Sequence, residues 1–205
     1  MIRTMLVDSN KHYSFGGEEQ LGRWRNEESG FIWLDISAEP TETLREMLLS
    51  LGCNSLAIND SFRLRHPPKV EAFDNDTFVL FRGISTIDTN LEVSHQQLGL
   101  WVGERILITY HRENSMSVSF LWDQEQNNKT HQSPGVLALK LLHYACGLYL
   151  DTLLEFEDRL VEIGWPLQLL DRGSVDGRHS ASPGFARLSG QALHRHDFRF
   201  AGRRS

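Results

Sequence analysis

Residues 63–90, RLRHPPKVEAFDNDTFVLFRGISTIDTN, contain the clearest structural signals in the chain. Their double proline at 67–68 ends the preceding element, because proline lacks a backbone N–H and restricts the residue before it. The following residues predict a hairpin, with strands over 70–73 and 77–84 on either side of a short acidic turn. The second strand ends near a lone aspartate, Asp88, which either favours a turn or holds a metal ion.

Two strands and two helices are predicted before this hairpin. The strands are MIRTMLVD (1–8) and FIWLDIS (31–37), and the unbroken apolar run at the start of the second indicates a strand covered on both faces. In SAEPTETLREMLLSLGC (37–53), leucines and a methionine recur at helical spacing, and Gly52 is a suitable C-terminal stop. A short helix over NSLAINDSF (54–62) is expected to continue until Pro67 and Pro68 end it.

A second hairpin is predicted after the first. Its strands are SHQQLGLWVGE (94–104) and RILITYHRE (105–113), and the turn lies at Gly103 and Glu104. The alternation of side chains and the β-branched content of the second strand favour this assignment. Two hairpins, two further strands and outer helices together predict an α/β fold, a mixed sheet flanked by helices.

The apolar period changes at Ser133, which can cap a helix whose first turn contains Pro134. The pattern predicts one helix to Ile163, about 45 Å long at 1.5 Å per residue. Its first half is apolar nearly all round and is expected to be buried, whereas its second half, DTLLEFEDRLVEI (151–163), is amphipathic and acidic. A helix this long extends beyond a compact domain of this size.

Composition excludes several classes of protein. The net charge of −6 argues against non-specific nucleic-acid binding. Cys53 and Cys146 are far apart in the sequence, as expected of two buried thiols in a reducing, cytoplasmic compartment. The most apolar region, residues 134–154, is interrupted by Lys140, His143 and Asp151, so the sequence predicts no membrane span.

Residues 164–205 differ from the rest of the chain. They contain seven arginines, three aspartates and no lysine or glutamate, a net charge of +4, whereas residues 1–163 carry a net charge of −10. Six glycines and five serines accompany apolar residues that follow no sustained period. This segment is therefore predicted to be an aberrant or disordered tail.

Three segments in order carry a resemblance to a known family. They are HPPKVEAFDNDTFVLFRGI (66–84), LGLWVGERILITYHRE (98–113) and GVLALKLLHYACGLYLDTLLEFEDRL (135–160). Their order and spacing resemble those of the CorA-type divalent-cation transporters over roughly residues 30–163. The zinc-transporting ZntB branch shares this plan, and the sequence does not separate the Mg²⁺/Co²⁺ branch from the Zn²⁺ branch.

The resemblance implies a cytosolic α/β/α domain that forms a homo-pentameric funnel in a protein of the inner or plasma membrane. It also implies a stalk helix, two transmembrane helices and a glycine–methionine–asparagine pore motif. The 205 residues contain no such motif, so we expect a chain truncated before the transmembrane helices, as by a frameshift. The expected domains are 1–132 (cytosolic α/β domain), 133–163 (helix toward the stalk) and 164–205 (tail).

The resemblance also gives Asp88 a role. An aspartate in the turn after this strand helps to bind a regulatory Mg²⁺ between neighbouring subunits of the family, and STIDTN places Asp88 at that turn. Mg²⁺ takes hard oxygen ligands and keeps several waters, so one carboxylate per subunit suffices if a neighbour supplies another. The partner carboxylate would lie on the stalk, so only weak binding is expected. The alternative is that Asp88 favours the turn by bonding its own backbone.

Other polar residues have simpler readings. Asp74 and Asp76 are interpreted as turn formers, and Lys69 and Glu71 as structural residues at the sheet edge. Glu155, Glu157, Asp158 and Glu162 form an acidic helix face that is either solvated or attracts cations. His194 and His196 lie in the predicted tail, and their proximity is interpreted as chance.

Two other classes of function stay open. His111 and Glu113 could form the acid–base pair of a small α/β enzyme, with Ser115 and Ser117 nearby in sequence. The sequence nevertheless lacks a nucleophile elbow, a phosphate-binding glycine loop and a zinc-ligand spacing. A free-standing cation-sensing or interaction module differs from a truncated transporter only in whether the tail belongs to the protein.

Overall fold

A computed structural model of the protein describes residues 1–87, 92–130 and 132–162, without the side chains of 84–87, 93 and 162. These residues belong to one compact unit, Met1–Trp165. Asp88 and the predicted tail at 164–205, with its two histidines, lie outside the described residues.

A mixed seven-stranded sheet forms the centre of the fold. Its order is β2-β1-β3-β7-β6-β5-β4; β3 and β7 run parallel, and the other neighbouring pairs are antiparallel. The strands are β1 (Ile2–Val7), β2 (Tyr13–Gly16), β3 (Phe31–Ser37), β4 (Lys69–Ala72), β5 (Asp76–Ile87), β6 (Val93–Gly103) and β7 (Ile106–His111).

Helices cover both faces of the sheet. They are α1 (Gln20–Asn26), α2 (Glu42–Ser50), α3 (Ser55–Phe62), α4 (Met116–Asn128) and α5 (Pro134–Glu162). One core cluster contains Leu34, Leu48 and Ile58, and so joins β3 to α2 and α3. The other contains Trp33, Trp122 and Leu141, and joins β3 to α4 and α5. This α/β/α arrangement confirms the predicted fold class.

Strand alternation explains why β3 reads as a continuous apolar run. Successive side chains point to opposite faces, so Ile32 and Leu34 enter one core cluster while Phe31 and Trp33 enter the other. Both faces are buried, as the sequence predicted. Burying these side chains on two sides makes β3 the strand about which the two layers are built.

The predicted hairpins and most of the predicted helix limits are confirmed. β4 pairs with β5 and β6 pairs with β7, each in antiparallel register. Thr41 caps α2 by accepting from the Leu44 N–H, and Gly52 follows the helix with φ +89°. Ser133 caps α5, since its hydroxyl accepts from the Val136 N–H at 3.4 Å.

Some predictions were incomplete or wrong. α3 ends at Phe62 rather than at the prolines, because the backbone at Arg63 is already extended. The sequence interpretation missed β2, α1 and α4, which are short or strongly polar. The first half of α5 is not buried all round: one side packs on the sheet and α4, but Leu139 is 69% exposed and Val136 42%.

α5 also bears on the expectation of no membrane span. Among the described residues, one helical stretch, Pro134–Val161, is long and apolar enough to cross a membrane by length and composition alone. Of its most apolar part, 22% is buried in this fold. Core helices of soluble proteins meet the same criterion, so the length and composition of α5 do not by themselves assign it to a membrane.

Candidate functional site

The end of the sheet beyond β5 is where the sequence predicts a metal ligand. β5 and β6 remain paired up to Ile87 and Val93, after a register shift between Ile84 and Thr86. Asp88 follows β5 directly, but it lies outside the described residues. Its role as a ligand therefore stays a prediction.

A cavity of about 200 Å³ with a mixed polar and apolar lining lies between β5 and α5 near the same end of the sheet. Asp151 and Glu155, one helical turn apart, line it together with the polar residues Thr152, Gln96 and Asn114 and with apolar residues such as Phe81 and Leu148. One Glu155 oxygen accepts from Arg159 at 2.5 Å. Hard oxygen donors of this kind suit Mg²⁺ or Ca²⁺, although the described residues contain no cluster of three or more metal-ligating acidic, cysteine or histidine side chains.

Of the two carboxylates that line this cavity, only Glu155 belongs to the acidic face predicted for α5; Asp151 does not. Glu155, Glu157 and Asp158 are exposed, while the side chain of Glu162 lies outside the described part. Sequence reasoning singled out the acidic face but treated Asp151 only as an interruption of the apolar run. The spacing of Asp151 and Glu155, four residues apart, was the signal that could have found the cavity.

The aspartates of the β4–β5 turn have separate surroundings. Asp74 is exposed at the turn, and the Phe73 N–H donates to the Asp76 carbonyl at 2.8 Å. Burial raises the pKa of Asp76, whose Oδ1 has no hydrogen-bond partner among the described residues. Asp76 is the first residue of β5, so its backbone closes the turn.

Lys69 and Glu71 lie on β4, the edge strand, as predicted. Lys69 Nζ contacts Asp60 Oδ2 at 2.5 Å and Glu71 Oε2 at 2.6 Å, while His66 Nε2 contacts the other Asp60 oxygen at 3.2 Å. Hydrogen bonds from Lys69, together with nearby positive charges, outweigh desolvation and lower the pKa of Asp60. This network ties the edge strand to α3.

The proposed acid–base pair of His111 and Glu113 is not formed. His111 Nδ1 contacts the Glu113 backbone oxygen, not its carboxylate, while Nε2 lies 3.1 Å from Asp35 Oδ1. Both neighbours are acceptors, so the ring donates to both only when both nitrogens carry protons. Ser115 caps α4 and bonds Ser117, and neither hydroxyl is exposed.

Asp35 is the centre of this buried cluster and was missed by sequence reasoning. It accepts from Thr109 at 2.6 Å and from Arg3 at 2.8 Å, and Arg3 also stacks over the Trp122 ring. Burial alone would raise the pKa of Asp35, but bonds from His111 and Thr109 and the charge of Arg3 outweigh it and lower that pKa. One charged residue inside the apolar FIWLDIS strand was the available signal, because a buried charge needs partners.

Solved structures share this fold. Full-length CmaX matches with a TM-score of 0.62 at 16% identity, covering 84% of this chain and 53% of its own. The CorA magnesium transporter from Methanocaldococcus jannaschii matches with a TM-score of 0.60 at 18% identity, covering 81% and 51%. The ZntB cytoplasmic domain from Vibrio parahaemolyticus RIMD 2210633 matches with a TM-score of 0.53 at 14% identity, covering 64% and 54%.

The chain spans about half the length of the first two of these structures. No curated protein sequence matches it. A family model described as CorA-like Mg²⁺ transporter protein matches residues 28–173, which is most of the chain. The chain belongs to the CorA-like Mg²⁺ transporter protein family.

Proposed function

We propose that this chain is the cytosolic domain of a CorA-like divalent-cation transporter and that it acts without catalysis. The observation that carries the proposal is the family match over residues 28–173. The α/β/α sheet followed by a long helix supports it, as do the CorA and ZntB cytoplasmic domains that share this fold. On this proposal the domain lies in the cytoplasm beside the membrane and associates with copies of itself as a weak homo-oligomer, a pentamer in the family.

A regulatory rather than a transporting role for the 205 residues is part of this proposal. Cation transport needs a continuous path through the bilayer, and these residues contain no glycine–methionine–asparagine motif. We therefore expect the chain alone not to transport cations. Its contribution would be weak Mg²⁺ binding through Asp88, and the Asp151 and Glu155 carboxylates would add negative potential at this end of the sheet.

The burial of the chemical groups supports a non-enzymatic role. His111 is 2% exposed and Asp35 is fully buried, so a substrate cannot reach their hydrogen-bonded cluster in the part of the chain that the structure describes. A cation-sensing module that works without a membrane partner remains the second candidate, favoured by the two carboxylate residues that line the cavity between β5 and α5. The sensing module differs from the transporter domain in one requirement: Mg²⁺ binding by the isolated chain must change how copies of the chain associate.

Titration of the purified chain with MgCl₂ tests the proposal, followed by NMR chemical shifts and by sedimentation. We expect weak saturable binding that Asp88→Ala reduces, because that change removes the predicted carboxylate ligand. Asp74→Ala is the matched control, since it removes an exposed turn aspartate from another hairpin.

Unchanged Mg²⁺ affinity in Asp88→Ala would return Asp88 to a turn-forming role. Expression of the chain in a strain without magnesium uptake provides a second arm. Restored growth there would contradict the proposal that these 205 residues cannot transport alone.

A further inference from the structure

A second and larger cavity adjoins the acidic one at the end of β5 and β6, since Gln96, Asn114 and Met116 line both. Its volume is about 600 Å³, within the range of small-molecule sites. It opens beyond the end of α3, where the sheet loses its helical cover. Most of its lining residues are polar, although more of the lining area is apolar, and they include three arginines, Arg65, Arg82 and Arg112.

Strand geometry explains how Arg82 reaches the larger cavity. Phe78 and Leu80 of β5 are buried in the core cluster beneath α2 and α3, and side chains two residues apart share a face. Arg82 therefore continues the same row past the end of α3. It lies opposite Gln97 in the sheet register, so the apolar floor becomes a polar one.

The other two arginines lie on opposite sides of the opening. Arg65 is exposed in the connection after α3, with a left-handed backbone at φ +62°. Arg112 follows β7 and is held in place, since its guanidinium donates to Glu39 at 2.6 Å and to the Phe62 carbonyl at 2.5 Å. Chain segments that are far apart in sequence thus bring three guanidinium groups to one cavity.

Two buried polar groups lining this cavity are incompletely bonded. Tyr110 is 2% exposed, and its hydroxyl has no hydrogen-bond partner of acceptable geometry among the described residues. Gln97 donates to the Ser61 and Arg63 carbonyls, but its Oε1 has no partner in the described part. Burial, opposed in part by Arg112, raises the pKa of Tyr110 to about 12, so its hydroxyl remains a donor at neutral pH.

The charge of the cavity is opposite to that of its surroundings. Residues 1–163 carry a net charge of −10, with only 14 lysines and arginines. Three of these line one cavity, where Glu113 is the sole carboxylate among the described lining residues. Guanidinium groups bind phosphate oxygens in a forked geometry that other cations do not reproduce.

We propose that this cavity, lined by Arg65, Arg82, Arg112 and Tyr110, binds a small phosphate-bearing anion. Arg65 and Arg82 supply charge and paired donors, Arg112 lies beside them in its ion pair with Glu39, and the Tyr110 hydroxyl supplies a further donor from the floor. The cavity is larger than a single phosphate requires, so it also admits the organic part of a nucleotide-sized ligand. This anion site is separate from the cation site proposed at Asp88, and neither depends on the other.

Calorimetric titration of the purified chain at low ionic strength tests the inference, with sodium phosphate and with ATP in the presence of EDTA as probes. We expect saturable binding that weakens as salt is added. Arg82→Gln should weaken binding at least about tenfold, because one charge-assisted hydrogen bond is lost. Arg65→Gln should act in the same direction and affects an exposed side chain, so it remains informative if Arg82→Gln folds poorly.

Arg25→Gln is the matched control, since it removes the same charge from an exposed position in α1. Tighter binding of ATP would identify a nucleotide-type ligand, and equal binding of both probes would identify the phosphate group itself; either supports the proposal. No saturable binding of either probe would overturn it. Equal weakening in Arg25→Gln and Arg82→Gln would also overturn it, because only the net charge would then matter.

Discussion

Charged groups occupy two contrasting regions of this molecule. Around Asp35, in the middle of the sheet, three polar side chains, Arg3, Thr109 and His111, bond a fully buried carboxylate. At the end of β5 and β6, charged side chains instead line two adjoining open cavities, with arginines in the larger and the Asp151 and Glu155 carboxylates in the smaller. The same residue types therefore serve stability in the first region and remain available to ligands in the second.

The difference follows from where helices cover the sheet. α2 and α3 cover one face, and α4 and α5 cover the other, but α3 ends at Phe62 and leaves the last rows of β5 and β6 open. Under the helices a charge must be paired, because an unpaired buried charge is strongly unfavourable. Beyond them water solvates the charge, so no internal partner is required.

The largest effect is expected from Asp35→Ala. It leaves Arg3 and His111 without the carboxylate that both contact, so the free energy of unfolding should fall by about 3–5 kcal/mol. Urea denaturation followed by tryptophan fluorescence measures the change. Asp123→Ala, at an exposed position of α4, is the control. A loss below about 1 kcal/mol would show that the buried cluster behaves like a surface ion pair.

An intermediate effect is expected from pH. The folded-state pKa of Asp35 lies below its ordinary value of 3.8, so the ionised carboxylate stabilises the fold above that value. This contribution is lost as the pH falls through the lower folded-state pKa. The difference in unfolding free energy between the wild-type protein and Asp35→Asn should therefore narrow on acidification below 3.8. A difference that widens there would contradict the direction of the shift.

The smallest effect on stability is expected from Asp151→Asn in the acidic cavity. Asp151 and Glu155 are like charges one helical turn apart, and the exposed Asp151 has no described ion-pair partner. Removing its charge should change the free energy of unfolding by no more than about 0.5 kcal/mol, with a gain more plausible than a loss. The same denaturation experiment checks it, and a loss above about 1 kcal/mol would mean that Asp151 is a structural group.

Local pattern explains which parts of the fold could be predicted. β3 and the two hairpins have strong strand signals, and α5 begins at a serine–proline start, so their existence follows from the sequence. α4 was missed because its buried residues, Val118, Leu121, Trp122 and Glu125, lie among polar neighbours. β2 is only four residues long and is stabilised by pairing with β1. No pattern within its own four residues predicts that pairing.

The α/β class, the long helix and the resemblance to CorA-type transporters follow from residues close together in the chain. The candidate ligand at Asp88 also comes from local sequence, and it stays a prediction. The contact of Asp35 with His111 and the sharing of one cavity by three arginines emerge with the folded chain. These groups lie on separate strands and loops, and their meeting depends on strand order and on where α3 ends. Neither property is encoded in local periodicity.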